Sequence, residues 1–458
     1  MTSPVAQLAK PRSKASSKPT SQEATPAKVT PQPRATRKLK VALLGFGTVG
    51  SAVARLLLQD ARSPFVLTQV FNRDVKRKKV DWLPDVHWTQ NVSEVLSSDV
   101  DIVVELVGGV APAGDWVRKA LRASKSVVTA NKLLIAESGP ELVQLAQEMG
   151  QRIEFGASVA GGIPAIIAIQ EGLMADRLQK IEGILNGTCN YILTSMEAKG
   201  ATFADALAQA QKLGFAEADP RGDIDGYDAR AKLVILTQTG LRLQVSSEQI
   251  LCLPISTIEA IDFLYARELN CTIRQISLAK KEERASGGVK LFAFVRPALV
   301  PLTSLIAHVQ ANRNIVMATG EFAGQIALSG YGAGGDPTAV AVVSDLYAIA
   351  RRAGARPSAS EATSEVPVSV TGELTVPHYL RFVVRDRPGI VAEIAAVLSK
   401  YCVGIDALLQ KPGYPVDALP FIMTLEPCSS AVLGNALEEI ARMDFHVEPP
   451  LCLPILME

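Results

Sequence analysis

Lys40-Val-Ala-Leu-Leu44-Gly45-Phe46-Gly47-Thr48-Val49-Gly50 is the stretch whose reading decides the fold. An apolar run ends in a GxGxxG spacing, and Ser51 to Gln59 continue it with Val53, Leu56 and Leu57 on one helical side. A buried strand, a glycine turn and a helix thus follow one another. The first glycine permits the tight turn. The second lets the backbone approach a pyrophosphate, and the third lets the helix pack closely on the strand. The helix N-terminus adds free N–H groups and the positive end of its dipole. Gly45, Phe46, Gly47, Thr48, Val49 and Gly50 therefore read as a dinucleotide site.

Outward from this turn, strands and helices alternate. Phe65 to Phe71 reads as a second strand. Asp101 to Val107 is apolar but for Asp101 and Glu105, as in a parallel strand covered on both faces. Trp116 to Ala123 reads as a helix, and Ser126 to Ala130 again as a strand. This alternation predicts a doubly wound α/β sheet, a Rossmann-type nucleotide domain over residues 39–150, completed by about 330–355. A second α/β domain, for substrate and dimerisation, is expected over 151–329. It has a helix after Pro164, a strand near Ile181–Leu185 and the Ala-rich helix Phe203–Leu213. After Gly330–Gly335, a helix from Thr338 to Arg352 is expected. Residues 356–373 are polar and rich in Pro, Ser, Glu and Thr, and read as a linker. A compact β/α segment fills 374–458, opening with the strand His378–Val384.

Composition narrows the function. The 458 residues carry a net charge of +1, but residues 1–40 hold nine Lys or Arg and one acid, Glu23. The rest is acidic, a poor match for a polyanion, so nucleic acid is excluded as the main partner. Residues 1–38, rich in Pro, Ser and Lys, read as a disordered basic tail, because they cannot bury enough apolar surface to offset their ordering entropy. An organelle transit peptide is the competing reading, and the prolines oppose the amphipathic helix it needs. The six cysteines form no CxxC pair, which fits the cytoplasm and shows no metal site. No apolar run is long enough to span a membrane.

The second strand ends Val70-Phe-Asn72-Arg73-Asp74. NAD sites usually place an acid there for the ribose 2′-hydroxyl. Asn72 is neutral and Arg73 can pair with a 2′-phosphate, with Lys76, Arg77, Lys78 and Lys79 nearby. NADP is favoured, and Asp74 keeps NAD open.

The densest polar segment runs from Gly214 through Glu217, Asp219, Asp223 and Asp228 to Lys232. Pro220 and Gly226 punctuate it as a loop ahead of an apolar helix. Asp228 and Lys232, four apart, share a helix face. The plain reading is a surface ion pair beside a solvated acidic loop, whose spacing does not match an EF-hand. The chemical reading is a Lys held by a carboxylate, able to give a proton to the alkoxide that forms when a carbonyl accepts a hydride. Nearby acids can take a substrate ammonium group, so the substrate would be an amino acid bearing a hydroxyl or an aldehyde.

At these residues the sequence resembles the homoserine dehydrogenases. Gly214–Lys232 is similar to the family signature. Asn186-Gly-Thr-Cys-Asn-Tyr191-Ile192, Ala130-Asn131-Lys132, Phe155–Pro164 and Gly330–Thr338 resemble further family stretches in the right order. The resemblance covers about residues 40–355. It implies reversible NAD(P)H-dependent reduction of L-aspartate 4-semialdehyde to L-homoserine, on the route to threonine, methionine and isoleucine. It also implies Lys232 as general acid/base, with Asp228 orienting it. Glu217 would hold the substrate ammonium, and Asp223 and Asp228 the substrate. Lys132 would lie between cofactor and substrate, and Gly214 and Gly334 would line the cofactor site. The family commonly has Glu, associated with a monovalent cation, where this chain has Gly156. Backbone groups near Val159, Gly161 and Ile163 would remain, so cation binding is left open. The segment around Asn270-Cys-Thr-Ile-Arg-Gln is less apolar than the family strand expected there.

Arg385-Asp-Arg-Pro-Gly-Ile390, joining a strand to a helix, resembles an ACT domain of βαββαβ order, which implies amino-acid feedback with threonine as the effector, or a domain used only for assembly. A homodimer or homotetramer is implied by the same resemblance. Two other readings compete. One is an acyl-phosphate aldehyde dehydrogenase with Cys189 as nucleophile. The other is a non-catalytic sensor of nucleotide and amino acid.

Overall fold

A computed structural model describes residues 37–60, 62–284, 288–352 and 367–456. The expected tail, but for its last two residues, and most of the expected linker lie outside these ranges. Among the described residues, no helix is long and apolar enough to cross a membrane.

The first sheet comprises β1 (Leu39–Leu44), β2 (Phe65–Phe71), β3 (His87–Thr89), β4 (Ile102–Glu105), β5 (Ser126–Thr129) and β6 (Ile153–Glu154). Its order is β3-β2-β1-β4-β5-β6, with every pairing parallel. This is the dinucleotide-binding order, with its crevice beyond the carboxyl ends of the central strands. Val41–Leu44 and Ile102–Val104 are buried, as unbroken apolar strands covered on both faces must be. The expected domain limit at 150 needs correction, because β6 belongs to this sheet. Its two residues carry too short a pattern to read. The helix Gly335–Arg351 returns to the sheet, where Ala339, Val342 and Leu346 share a core with Ala52, Val53 and Leu57 of the helix Thr48–Gln59. It begins three residues before the expected Thr338. Pro337 falls in its first turn, where no N–H is needed.

The second sheet comprises β7 (Leu178–Ile184), β8 (Leu251–Cys252), β9 (Cys271–Glu283), β10 (Val289–Pro301), β11 (Arg313–Gly320), β12 (Gln325–Tyr331) and β13 (Val368–Thr371). The order is β12-β11-β7-β9-β10-β13, with β8 also on β10. Strand β13 corrects the linker reading: Val368–Thr371 pairs in parallel with β10. Polar β9 is explained by Arg274, which is fully buried. Its guanidinium donates to Glu197 Oε2 at 2.8 Å and to the Ala307 carbonyl at 2.9 Å.

The third sheet comprises β14 (Thr375–Val384), β15 (Ile405–Gln410), β16 (Leu419–Ser429) and β17 (Leu451–Pro454). Helices Ile390–Lys400 and Ser430–Ile440 complete a βαββαβ chain order, and the antiparallel sheet runs β15-β16-β14-β17. Alternation along β14 divides its residues between two cores. Leu380 and Phe382 face the two helices, whereas Tyr379 joins Ile192, Leu193, Met196 and Phe263 of the preceding domain.

Candidate active site

The glycine turn does what its spacing predicts. Gly45 has φ +107°, and a Cβ there would meet the Leu106 carbonyl oxygen at 2.9 Å. A Cβ on Gly50 would lie 2.5 Å from the Gly45 carbonyl oxygen, so the helix can rest on the strand only without a side chain. Nothing lies within 4 Å of a Cβ on Gly47, which leaves its backbone open to a ligand. The return segment closes on this turn: a Cβ on Gly335 would touch Thr48 Cγ2 at 2.8 Å. Gly334, with φ +126°, precedes that contact. The pyrophosphate cradle thus fits a dinucleotide.

Sheet order sets the rest of the crevice. Arg73 follows β2 on one side of the turn, and Lys132 follows β5 on the other. Arg73 is exposed, and among the described residues its guanidinium forms no ion pair. The Asp74 carboxylate accepts from the Arg77 backbone N–H at 3.2 Å, capping the helix Val75–Lys78.

Helix Tyr227–Leu236 is buried on almost every side, which rejects the surface-pair reading of Asp228 and Lys232. Lys232 is 7% exposed. Its ammonium donates to the Leu185 carbonyl at 2.8 Å and to Asp228 Oδ2 at 2.7 Å. Lys132 reaches the same carboxylate from the other domain, donating to Asp228 Oδ1. Asn186 donates from one amide nitrogen to Asp223 Oδ1 at 2.7 Å and to Asp228 Oδ2 at 2.9 Å.

The electrostatics follow from this crowding. Burial would push the Asp228 carboxyl up, but the two ammonium groups hold it far below the usual carboxylate range. Burial would lower Lys132, and Asp228 with Asp223 and Glu217 raises it instead. Asp223 is raised by burial, and the Asn186 amide opposes that rise.

Lys132, Asp223, Asp228 and Lys232 are therefore brought together. Glu217 stays exposed on the loop that begins at Gly214 (φ +76°), and its charge acts on Lys132 from there. Thr188 ties this loop down by donating to the Phe215 carbonyl at 2.7 Å. The arrangement suits proton transfer at a carbonyl, with carboxylates to hold a cationic amino acid.

Two family models match the chain: homoserine dehydrogenase over residues 164–347, and the homoserine dehydrogenase NAD-binding domain over 45–156. A homoserine dehydrogenase of Mycobacterium tuberculosis is 38% identical over 419 residues, covering 88% of this chain and 94% of that protein. One from Corynebacterium glutamicum is 35% identical, covering 81% and 85%. A crystal structure of a homoserine dehydrogenase from Thiobacillus denitrificans matches with a TM-score of 0.83 at 33% identity, covering 91% of this chain and 98% of that one. The chain belongs to the homoserine dehydrogenase family.

Membership and geometry together oppose the acyl-phosphate reading. This homoserine dehydrogenase buries Cys189 fully, and burial pushes its thiol well up, against a nucleophilic role. The thiol donates to the Asp223 carbonyl at 3.2 Å. The cation site of the family does not find its glutamate. Gly156 stands there, and a Cβ on it would lie 2.6 Å from Asp345 Oδ1.

Two polar residues of the crevice carry no role in the sequence reading. Glu105 ends β4 fully buried, accepting from the Val107 and Gly108 N–H groups at 2.7 and 3.0 Å and from Thr129 Oγ1 at 2.7 Å. A carboxylate closing an apolar Ile-Val-Val strand was its available signal. Asn186 lies in a stretch quoted only for resemblance, and an Asn ahead of a helix is an N-cap signal.

Proposed function

We propose that this chain interconverts L-aspartate 4-semialdehyde and L-homoserine with Lys232 as proton donor and acceptor. The observation that carries this is the Lys232 ammonium, buried and fixed between the Leu185 carbonyl and Asp228. The nicotinamide cofactor supplies the hydride in reduction and takes it in oxidation. Lys232 gives its proton to the alkoxide in the first direction and recovers it in the second. Asp228 keeps the ammonium oriented and offsets its charge. Asp223 accepts a hydrogen bond from the substrate hydroxyl, and Glu217 receives the substrate ammonium. Lys132, anchored on Asp228, spans from the nucleotide domain to the substrate.

Gly45 to Gly50, Gly334 and Gly214 would line the cofactor, and NADP is the favoured form. Arg73 and the exposed Lys76, Arg77, Lys78 and Lys79 support a 2′-phosphate. Asp74, spent on a helix cap, is a poorer partner for a ribose hydroxyl. A hyperthermophilic archaeal homoserine dehydrogenase with a TM-score of 0.59 at 26% identity was solved in complex with NADPH.

The C-terminal βαββαβ unit is read as an ACT domain that takes threonine. A cavity of about 420 Å³ beside Asp386, Arg387, Gly389 and Gln410 suits a small amino acid. A homodimer or homotetramer in the cytoplasm completes the reading.

The test is homoserine-dependent reduction of NADP and of NAD by the purified protein, with and without threonine. Turnover preferring NADP and suppressed by threonine is expected. Lys232→Ala should lower kcat by roughly 10²–10⁴-fold while NADP still binds. Full turnover by that variant would remove Lys232 from the chemistry.

A further inference from the structure

We propose that Asn186 is a positioning residue of the dehydrogenation, holding Asp223 and Asp228 side by side through the two hydrogens of one amide nitrogen. The inference rests on the roles given above to Asp223, Asp228 and Lys232.

The geometry leaves the amide no freedom. Asn186 is 3% exposed and caps the helix Gly187–Lys199, its Oδ1 accepting from the Cys189 backbone N–H at 2.8 Å. With the oxygen committed to the cap, the nitrogen must face the other way. There it meets Asp223 Oδ1 at 2.7 Å and Asp228 Oδ2 at 2.9 Å. Asp228 Oδ2 is also the oxygen that accepts from Lys232 at 2.7 Å. The amide thus fixes the carboxylate that fixes the proton donor, and adds no charge of its own.

Two carboxylates this close repel each other, and a shared neutral donor relieves part of that repulsion. The charged and titratable groups around Asp223 come from three helices. Asp228 and Lys232 lie on Tyr227–Leu236, Lys132 on Lys132–Glu148, and Cys189 on Gly187–Lys199. Glu217 acts on Lys132 from the adjoining loop. Without the amide donor, Asp223 would take up a proton at higher pH, and the site would lose the acceptor for the substrate hydroxyl.

An Asn→Asp change separates capping from positioning. Aspartate caps a helix as well as asparagine does, but it cannot donate and brings a third negative charge. Serine also caps, adds no charge, and does not span to both carboxylates. The variants Asn186→Asp and Asn186→Ser would be assayed in the full chain for kcat, KM for homoserine, NADP affinity, thermal midpoint and the pH profile of kcat/KM. Lys232→Ala would be run alongside.

The expected result is a fall in kcat of roughly 100-fold for Asn186→Asp, the scale of an ångström's misplacement, with a smaller fall for Asn186→Ser. NADP affinity should stay as it is. The acidic limb of the profile should move to higher pH, further for Asp than for Ser. If Asn186→Asp does not fold, Asn186→Ser carries the test by its kcat and its limb. Wild-type kcat and an unmoved limb in either folded variant, with Lys232→Ala inactive, would overturn the proposal. So would a loss of kcat that merely tracks thermal midpoint with the limb unmoved, since that is the mark of a cap alone. Full turnover by Lys232→Ala would instead overturn the catalytic reading beneath it.

Discussion

Gly156 and Asp345 fit each other at the scale of single atoms. The Asp345 carboxyl, 8% exposed, accepts from the Ala157 N–H at 3.2 Å and occupies the space a side chain at 156 would need. Burial pushes this carboxyl up to about 8, against the hydrogen bonds from Ala157 and Gly156 that favour its charged form. The native state therefore holds a proton here that the unfolded chain has released. Stability from this group is complete below about pH 4 and is lost as pH rises through 8. An Asp345→Asn variant keeps an oxygen for the Ala157 N–H and has nothing to titrate. Its stability relative to wild type should improve between pH 5 and pH 9, on the order of a few kcal/mol. Urea midpoints at the two pH values measure this, and an unchanged difference would show that Asp345 titrates normally.

At the scale of elements, the legible parts of the chain are those whose causes are local. Each glycine of the turn has its own steric reason, so the strand–turn–helix could be read from spacing alone. The same reasons predict opposite outcomes for two alanine substitutions. Gly50→Ala places a Cβ 2.5 Å from the Gly45 carbonyl oxygen and should lower the thermal midpoint by several degrees. Gly47→Ala adds a methyl to open space and should leave the midpoint within a degree or two while weakening NADP binding tenfold or more. Thermal scans with and without NADP separate the two effects. Equal behaviour of the variants would remove the cradle assignment. In the site, the Asp228–Lys232 spacing was legible because it lies within one helix turn. The bridge from Asn186 was not, since it joins residues 37 and 42 positions apart. Strand β9 misled for a similar reason: Arg274 is polar in sequence and buried in fact, because Glu197 and the Ala307 carbonyl await it across the fold. Strands β6 and β13 are short and owe their existence to the neighbours they pair with.

Across the whole molecule, the C-terminal unit is built into the enzyme. Tyr379, Ile422, Leu453 and Ile455 lie in one core with Ile192, Leu193 and Met196 of the helix that Asn186 caps. Within that interface Asp262 is fully buried, accepting from the Tyr379 hydroxyl at 2.7 Å and from Arg381 at 2.9 Å. The Arg381 side chain is itself 6% exposed and also pairs with Glu259 at 2.8 Å. Removing Asp262 leaves the buried Arg381 guanidinium with Glu259 as its close partner and takes the acceptor from the Tyr379 hydroxyl; breaking a buried pair from one side typically costs about 3–5 kcal/mol, whereas replacing both partners by apolar groups is often nearly neutral. Asp262→Ala should therefore destabilise by about that much, and Asp262→Leu with Arg381→Met should recover much of the loss. Because the core is shared, the effect should appear in the one transition that also ends turnover, and denaturant curves followed by fluorescence and by activity should coincide. A separate early transition in wild type, with activity surviving it, would show instead that the C-terminal unit folds and melts on its own. Coincident curves would mean that a ligand in the cleft beside Arg387 acts on a body continuous with the helix whose N-cap, Asn186, donates to Asp223 and Asp228. Threonine should then change kcat in wild type and lose its effect in Asp262→Ala under conditions where that variant remains folded.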